Sequence, residues 1–143
     1  MKSFIKIVLT VSPFVYMGVI WTLSSLPDTA VIELASSKWD RIFKESLHVI
    51  EFAILYVLFV AALLAHNKLS YAVNFIAALA AIFYGFIDEI HQSFIPYRSA
   101  TLIDAAKDLF GVMVCFLIIN RTYFRETSSF GKTMKRVEAW MKG

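Results

Sequence analysis

The sequence is poor in the residues that stabilise or interrupt small soluble domains, with one cysteine, three prolines and five glycines among 143 residues. Cys115 has no partner in the chain, so a disulfide framework within the chain is excluded. Only 17% of the residues are charged, compared with roughly 25% in soluble domains. This composition argues against a disordered tail, a nucleic-acid-binding protein and a small secreted scaffold.

Apolar residues are what the sequence has in excess. They make up 59% of the chain, and the mean hydropathy is +0.66. Four apolar runs are long enough to cross a bilayer, which needs about 20 residues per helix. The runs cover residues 4–26, 47–65, 71–90 and 102–119. We therefore expect an all-α protein, a four-helix transmembrane bundle that crosses the cell membrane several times.

The distribution of basic residues predicts the orientation of this bundle. The formal net charge is +3. With the N-terminus inside, the cytoplasmic segments hold nine Lys and Arg residues and the outer segments hold four, with Lys107 inside the fourth run. Lys and Arg are retained on the cytoplasmic side, so both termini are expected in the cytoplasm.

The chain is expected to divide into a membrane domain, residues 1–122, and a cytoplasmic tail, residues 123–143. In the tail, Phe130, Met134, Val137 and Met141 recur at helical spacing among basic residues. This pattern favours an amphipathic helix that lies on the anionic inner leaflet. The alternative is a frayed, solvated tail.

Ionisable residues lie in or next to three of the four apolar runs at helical spacing, although a charge at the centre of a spanning helix costs roughly 2.5–3.5 kcal/mol. They are Lys44, His48 and Glu51 around the start of the second run, Tyr84, Asp88 and His91 around the end of the third, and Asp104, Lys107 and Asp108 at the start of the fourth. In an antiparallel bundle these stripes lie at one end, together with Ser24 and Ser25, whereas the opposite halves of the helices are almost purely apolar. The pattern predicts a polar cavity in the outer leaflet.

The run Asp88–Arg98, with Glu89, His91, Gln92 and Phe94 in it, resembles the D-E-x-H-Q-x-F-x-P-x-R signature of the VanZ-like family of small membrane proteins. Lys44 and His48 resemble the family's K-x-x-x-H at the start of its second helix. Asp104 and Gly111 resemble its D-x-x-x-N-x-x-G, although Asp108 stands where the family has Asn. Ser24-Ser25 resembles the polar end of its first helix.

The resemblance implies a membrane fold and a cell-envelope context but no particular reaction. The family takes its name from an accessory protein associated with resistance to the glycopeptide teicoplanin. The first hypothesis is a protein that binds or remodels a lipid headgroup or a lipid-linked cell-wall precursor, with membrane lipids as partners and no nucleic acid. Arg98 and Lys44 would contact phosphate. The expected binding residues are Ser24, Ser25, Lys44, His48, Asp88, Glu89, His91, Gln92, Arg98, Asp104 and Asp108.

Other functions fit the same residues. A membrane enzyme would use His91 with Asp88, and also Glu89 and His48, for acid–base chemistry, and Ser24 or Ser25 as nucleophile. The carboxylates and histidines could instead hold a divalent metal, although a charge network explains them without a metal or any other cofactor. A hydrogen-bonded plug that fixes helix register and a transporter are further alternatives.

Overall fold

The computed structural model describes residues 1–26, 37–96, 102–125 and 128–142, with side chains from Val49 onward in the second helix and from Ile103 onward in the fourth. All the regular structure in these residues is helical. The elements are α1 (Lys2–Ser24), α2 (Ser37–Ala65), α3 (Tyr71–Gln92), α4 (Leu102–Ile119), a π-helical turn (Asn120–Phe124) and α5 (Ser129–Lys142). The expected all-α class is confirmed.

Each of the four long helices runs antiparallel to the next along the chain. α2 packs against α1, α3 and α4, α3 packs against α1 and α4, and α5 rests on the π-helical turn and on α2. The end of α1, the start of α2, the end of α3 and the start of α4 therefore lie together, and we call this the polar end. The other ends of these helices lie with α5 at the opposite end.

The third and fourth helices begin where the apolar runs begin, whereas α2 begins ten residues before the run that starts at 47. The residues in between are amphipathic, with Trp39, Ile42 and Phe43 at helical spacing, so a search for continuous apolar sequence ends too early there. α1 and α3 are long and apolar enough to cross a membrane. Among the residues of α2 whose side chains are described, the apolar stretch Val49–Ala65 is shorter, and α4 carries three charged residues in its first two turns.

The surface of α1 is largely apolar. Only Pro13, Ile20 and Ser24 of this helix are buried, and many of its exposed side chains are large and hydrophobic. Phe14 is 63% exposed, and Phe4 and Val15 are exposed to a similar degree. The core lies between the helices and is centred on buried side chains of α2, chiefly Phe52, Leu55 and Tyr56. Contiguous exposed apolar surface is rare on soluble monomers, so this outer surface suits a lipid environment.

Three local features shape α1 and the connection between α2 and α3. Pro13 has no N–H for the carbonyl of Leu9, and the Ser12 hydroxyl donates to that carbonyl at 3.1 Å. Between α2 and α3, Asn67 adopts a left-handed conformation with φ of 55°, which asparagine tolerates better than most residues. The Ser70 hydroxyl then accepts the backbone N–H of Val73 and caps α3.

A second polar network lies toward the opposite end, where the sequence suggested almost purely apolar helices. The Tyr56 hydroxyl donates to Oδ1 of Asn74 at 2.8 Å, and the Asn74 amide donates to Oδ1 of Asn120 at 3.1 Å. Asn74 is fully buried. The network therefore joins α2, α3 and the turn after α4.

The Asn74→Leu protein is expected to lose about 1–2 kcal/mol of stability, because the substitution leaves the Tyr56 and Asn120 side chains without this partner. Tyr56→Phe removes one hydroxyl and should cost less than Asn74→Leu. Thermal unfolding of the purified protein in detergent measures both changes. Equal melting temperatures for the wild type and Asn74→Leu would contradict this description of the network.

Candidate functional site

Asp88 is the centre of the polar end. Its carboxylate lies on α3 and is 1% exposed. The Ser24 hydroxyl, from the end of α1, donates to Oδ2 of Asp88 at 2.8 Å, and the Gln92 amide donates to the same oxygen at 2.6 Å. The Gln92 amide nitrogen also lies 3.4 Å from the Ser24 hydroxyl oxygen. Ser24 and Gln92 are buried as well, so the three side chains form one polar cluster between two helices.

His91 lies one turn from Asp88 at a more exposed position and is held by two contacts from α1. Its Nε2 is 2.9 Å from the Ser25 hydroxyl, and its ring stacks on Trp21 with 3.9 Å between centroids. The Ser25 hydroxyl also lies 2.7 Å from the carbonyl oxygen of Trp21 and donates to it. A serine hydroxyl carries one hydrogen. When that hydrogen is donated to Trp21, Nε2 of His91 must be the donor to Ser25.

The two hydrogen bonds of Ser25 assign different roles to the two ring nitrogens of His91. With Nε2 donating to Ser25, the neutral ring presents Nδ1 as its hydrogen-bond acceptor. Ser25 then receives a hydrogen bond from His91 and does not lose its own proton to that ring. The arrangement orients the imidazole and does not activate the serine as a nucleophile.

Three further carboxylates lie at the same end. Glu89 on α3 and Asp108 on α4 are buried, and Asp104 forms an ion pair with Lys107 of its own helix at 2.9 Å. α3 and α4 approach closely here, because a Cβ on Gly85 would lie 3.5 Å from the Cβ of Asp108. The polar end thus gathers acidic side chains from both helices.

Glu51 of α2 faces the other helices. Its carboxylate lies close enough to the phenols of Tyr16 and Tyr84 for an electrostatic interaction. The Tyr84 hydroxyl donates to the carbonyl oxygen of Met17 at 2.8 Å and so holds α3 against α1. The Glu51 carboxylate therefore faces protein.

Several predicted site residues meet in this region, and others lie outside the described side chains. Lys44 and His48 belong to α2, but only the backbone is described there, and Arg98 is outside the described residues. Ser24, Asp88 and Gln92 meet directly. Among the side chains that the structure describes, no three His, Cys, Asp or Glu residues are placed to share a metal ion.

Sequence reasoning missed one contact at the polar end and a polar network at the opposite end. Trp21 was not expected to contact His91, although its position four residues before Ser25 places both on one face of α1. The π-helical turn and the Asn74 network at the opposite end were also missed. A single asparagine within an apolar helix is a recognisable signal for an interhelical hydrogen bond, but its partner depends on helix rotation.

The sequence model of the VanZ/LLP1 family matches residues 2–124. This match covers α1 to α4 and the π-helical turn, and the chain therefore belongs to the VanZ/LLP1 family. The resemblance carried by Asp88–Arg98 is thus confirmed at the level of the family. Comparison with curated proteins and with solved structures gives no significant match.

Proposed function

We propose that this protein crosses the cell membrane with α1 to α4 and binds the polar headgroup of an envelope lipid, or of a lipid-linked wall precursor, at its polar end. Both termini and α5 then lie in the cytoplasm, and the polar end lies beneath the outer surface. The observation that carries this proposal is the buried Asp88 carboxylate, which accepts hydrogen bonds from Ser24 and Gln92.

The location of Asp88 is the first argument for a ligand site. Ionisable groups within membrane helices are rare and mark binding sites or pathways by default. Asp88 lies on a helix that is long and apolar enough to cross a bilayer, and the buried Glu89 and Asp108 lie at the same end. Such a concentration of carboxylates is costly in hydrocarbon, which favours a functional role over chance placement.

The chemistry of the side chains supports a headgroup with more than one kind of polar group. Carboxylates accept hydrogen bonds from hydroxyl and amine groups, which sugars and aminoalcohol headgroups supply. The predicted phosphate contacts are Arg98 and Lys44, because guanidinium and ammonium groups bind phosphate well. A phosphorylated headgroup that also bears hydroxyl or amine groups therefore matches the complete set.

His91 supports binding more strongly than catalysis. Its ring is stacked on Trp21 and hydrogen-bonded to Ser25, and its Nδ1 is the acceptor when Ser25 donates to the Trp21 carbonyl. For Ser25 to act as a nucleophile, His91 would have to take its proton, and this arrangement directs that proton to the Trp21 carbonyl. We therefore propose recognition of an envelope lipid, with an altered exposure of the teicoplanin target as its consequence for resistance.

The test compares two histidine substitutions at opposite ends of the molecule. His91→Ala removes the side chain at the polar end, and His66→Ala removes one whose ring bonds to Thr10 at the other end. The proteins are purified from cells at equal abundance, and co-purifying lipids are identified by mass spectrometry. The wild type and His66→Ala should retain a phosphorylated envelope lipid, and His91→Ala should retain about ten-fold less, as expected for a lost hydrogen bond to a charged ligand.

Teicoplanin susceptibility of the same cells provides the second readout. Cells with His91→Ala should respond like cells without the protein, and cells with His66→Ala like the wild type. Thermal unfolding of each purified protein establishes that both variants are folded. Lipid retention and susceptibility that are the same for the two variants would show that the polar end does not bind the lipid.

A further inference from the structure

The helix α5 is held against the protein along one face. Met134 and Met141 are buried beneath it, and a Cβ on Gly131 would collide with the backbone carbonyl of Thr122. The Tyr123 hydroxyl donates to Oε2 of Glu138 at 2.5 Å. Burial, and then the neighbouring Glu138 carboxylate, raise the pKa of Tyr123, so the phenol remains the donor at neutral pH. α5 is therefore a docked element with a defined rotation.

This rotation leaves a second apolar surface on α5 exposed. We call it the apolar edge, and it consists of Phe130, Val137 and Trp140, each about half exposed. Successive helical residues are rotated by about 100°, so Phe130 and Val137 lie beside the docked face and Trp140 lies farther round. The apolar edge is thus distinct from the buried face that Met134 and Met141 form.

Cationic side chains lie next to the apolar edge. The Lys2 ammonium is 5.2 Å from the centroid of the Trp140 ring, which brings the first turn of α1 to α5. Arg136 is exposed and, four residues before Trp140, lies on the same side of the helix. Lys142 is also exposed, but the helical rotation places it roughly 160° from Trp140. One side of α5 therefore combines aromatic and cationic groups.

We propose that the apolar edge of α5, with Lys2 and Arg136 beside Trp140, binds anionic phospholipids in the leaflet at this end of the protein. Exposed Phe and Trp side chains insert at the boundary between headgroups and acyl chains, and neighbouring Lys and Arg side chains attract anionic headgroups. Lys2 belongs to α1, which is long and apolar enough to cross the membrane, so its position fixes the edge near the membrane surface. The proposal shares with the proposed function only the placement of the helices in a bilayer.

The test measures which lipid lies next to Trp140. The chain has three tryptophans. The double substitution Trp21→Phe and Trp39→Phe leaves Trp140 as the single tryptophan whose fluorescence is measured. The full chain is reconstituted in phosphatidylcholine nanodiscs that contain a small fraction of either brominated phosphatidylglycerol or brominated phosphatidylcholine. Bromine quenches nearby tryptophan, so the two titrations give the preference of the site for the anionic headgroup. We expect stronger quenching by phosphatidylglycerol, and high salt should weaken this preference.

Three charge substitutions separate a local site from a general effect of net charge. Each basic residue near an anionic leaflet strengthens binding about five-fold, so Arg136→Gln and Lys2→Gln should each lower the preference by about that factor. Lys142→Gln removes one positive charge from the other side of α5 and should leave the preference for the anionic lipid unchanged. The proposal is overturned if the two lipids quench Trp140 equally, or if Lys142→Gln lowers the preference as much as Arg136→Gln does. It is also overturned if quenching disappears when the protein self-associates, because the apolar edge would then bind a second copy of the chain.

Discussion

The Gly111→Ala protein is expected to be the most strongly destabilised of the variants proposed. Gly111 lies on α4 where this helix meets α2, and a Cβ at this position would overlap the backbone carbonyl of Val49. A backbone carbonyl inside a helix cannot rotate away as a side chain can, so the two helices must separate. Overpacking a well-packed site typically costs 1–3 kcal/mol, and occasionally more, and we expect more than about 3 kcal/mol here because the obstacle is backbone.

A second glycine provides the matched control for this experiment. Gly18 lies in the middle of α1, and a Cβ at that position would meet nothing within 4 Å. Gly18→Ala should therefore raise stability slightly, because alanine favours a helix over glycine by about 0.8–1 kcal/mol. Thermal unfolding in detergent, followed by circular dichroism, measures both proteins. A Gly111→Ala protein that melts with the wild type would show that α2 and α4 are not in this close contact.

Substitution of Asp88 should separate the stability of the polar end from its binding function. Asp88→Leu leaves the donors of Ser24 and Gln92 without their acceptor in a buried site, at a cost of about 1–3 kcal/mol for each. Asp88→Asn keeps an oxygen that accepts from both donors but removes the negative charge. We expect Asp88→Leu to lose about 3 kcal/mol or more and Asp88→Asn to lose clearly less.

The folded Asp88→Asn protein then tests the role of the charge. If the carboxylate attracts the hydroxyl or amine groups of a headgroup, lipid retention by this variant should fall about ten-fold, as expected for a hydrogen bond to a charged group. Mass spectrometry of the co-purifying lipid measures this loss. Thr22→Ala, which removes a hydroxyl that donates to the Gly18 carbonyl of its own helix, controls for changes near the end of α1. Full retention by Asp88→Asn would assign Asp88 to stability alone.

The positions of α3 and α4 could be predicted from the sequence because polar residues bound both apolar runs. Ser70 caps the start of α3, and α4 covers the same residues, Leu102–Ile119, as the fourth run. The start of α2 could not be predicted in this way, because the helix continues through amphipathic sequence. Continuous hydrophobicity reports where a helix is apolar, and helix formation extends beyond that region.

The proximity of Ser24 to Asp88 follows from chain order and antiparallel packing, since both residues lie near helix ends that must meet. The stacking of Trp21 on His91 depends on the rotation of two helices about their axes, which sequence spacing within one helix does not determine. The same is true of the bond between Asn74 and Asn120. The position of each polar side chain along the bundle was therefore predictable, whereas its hydrogen-bonding or stacking partner on another helix was not.

The docking of α5 shows the same limit in another form. Its amphipathic spacing is visible in the sequence, but the sequence alone assigns Met134 and Val137 to one apolar side. In the structure Met134 is buried while Val137 is about half exposed. The distinction arises because Gly131 permits close contact with Thr122 and Tyr123 bonds to Glu138, and both contacts are tertiary.

The sparse burial of α1 has a consequence for biogenesis. Its outer surface is apolar. Within the part of the chain that the structure describes, its hydrogen bonds to other helices join Thr10 to His66, Met17 to Tyr84, and Ser24 and Ser25 to α3. A helix of this kind is stable in lipid before its neighbours are synthesised. If α1 to α4 cross the membrane as proposed, α1 can therefore insert as an independent segment before α2 and α3. The hydrogen bonds named above would then fix its final rotation, so their loss is expected to disturb helix packing and to leave insertion intact.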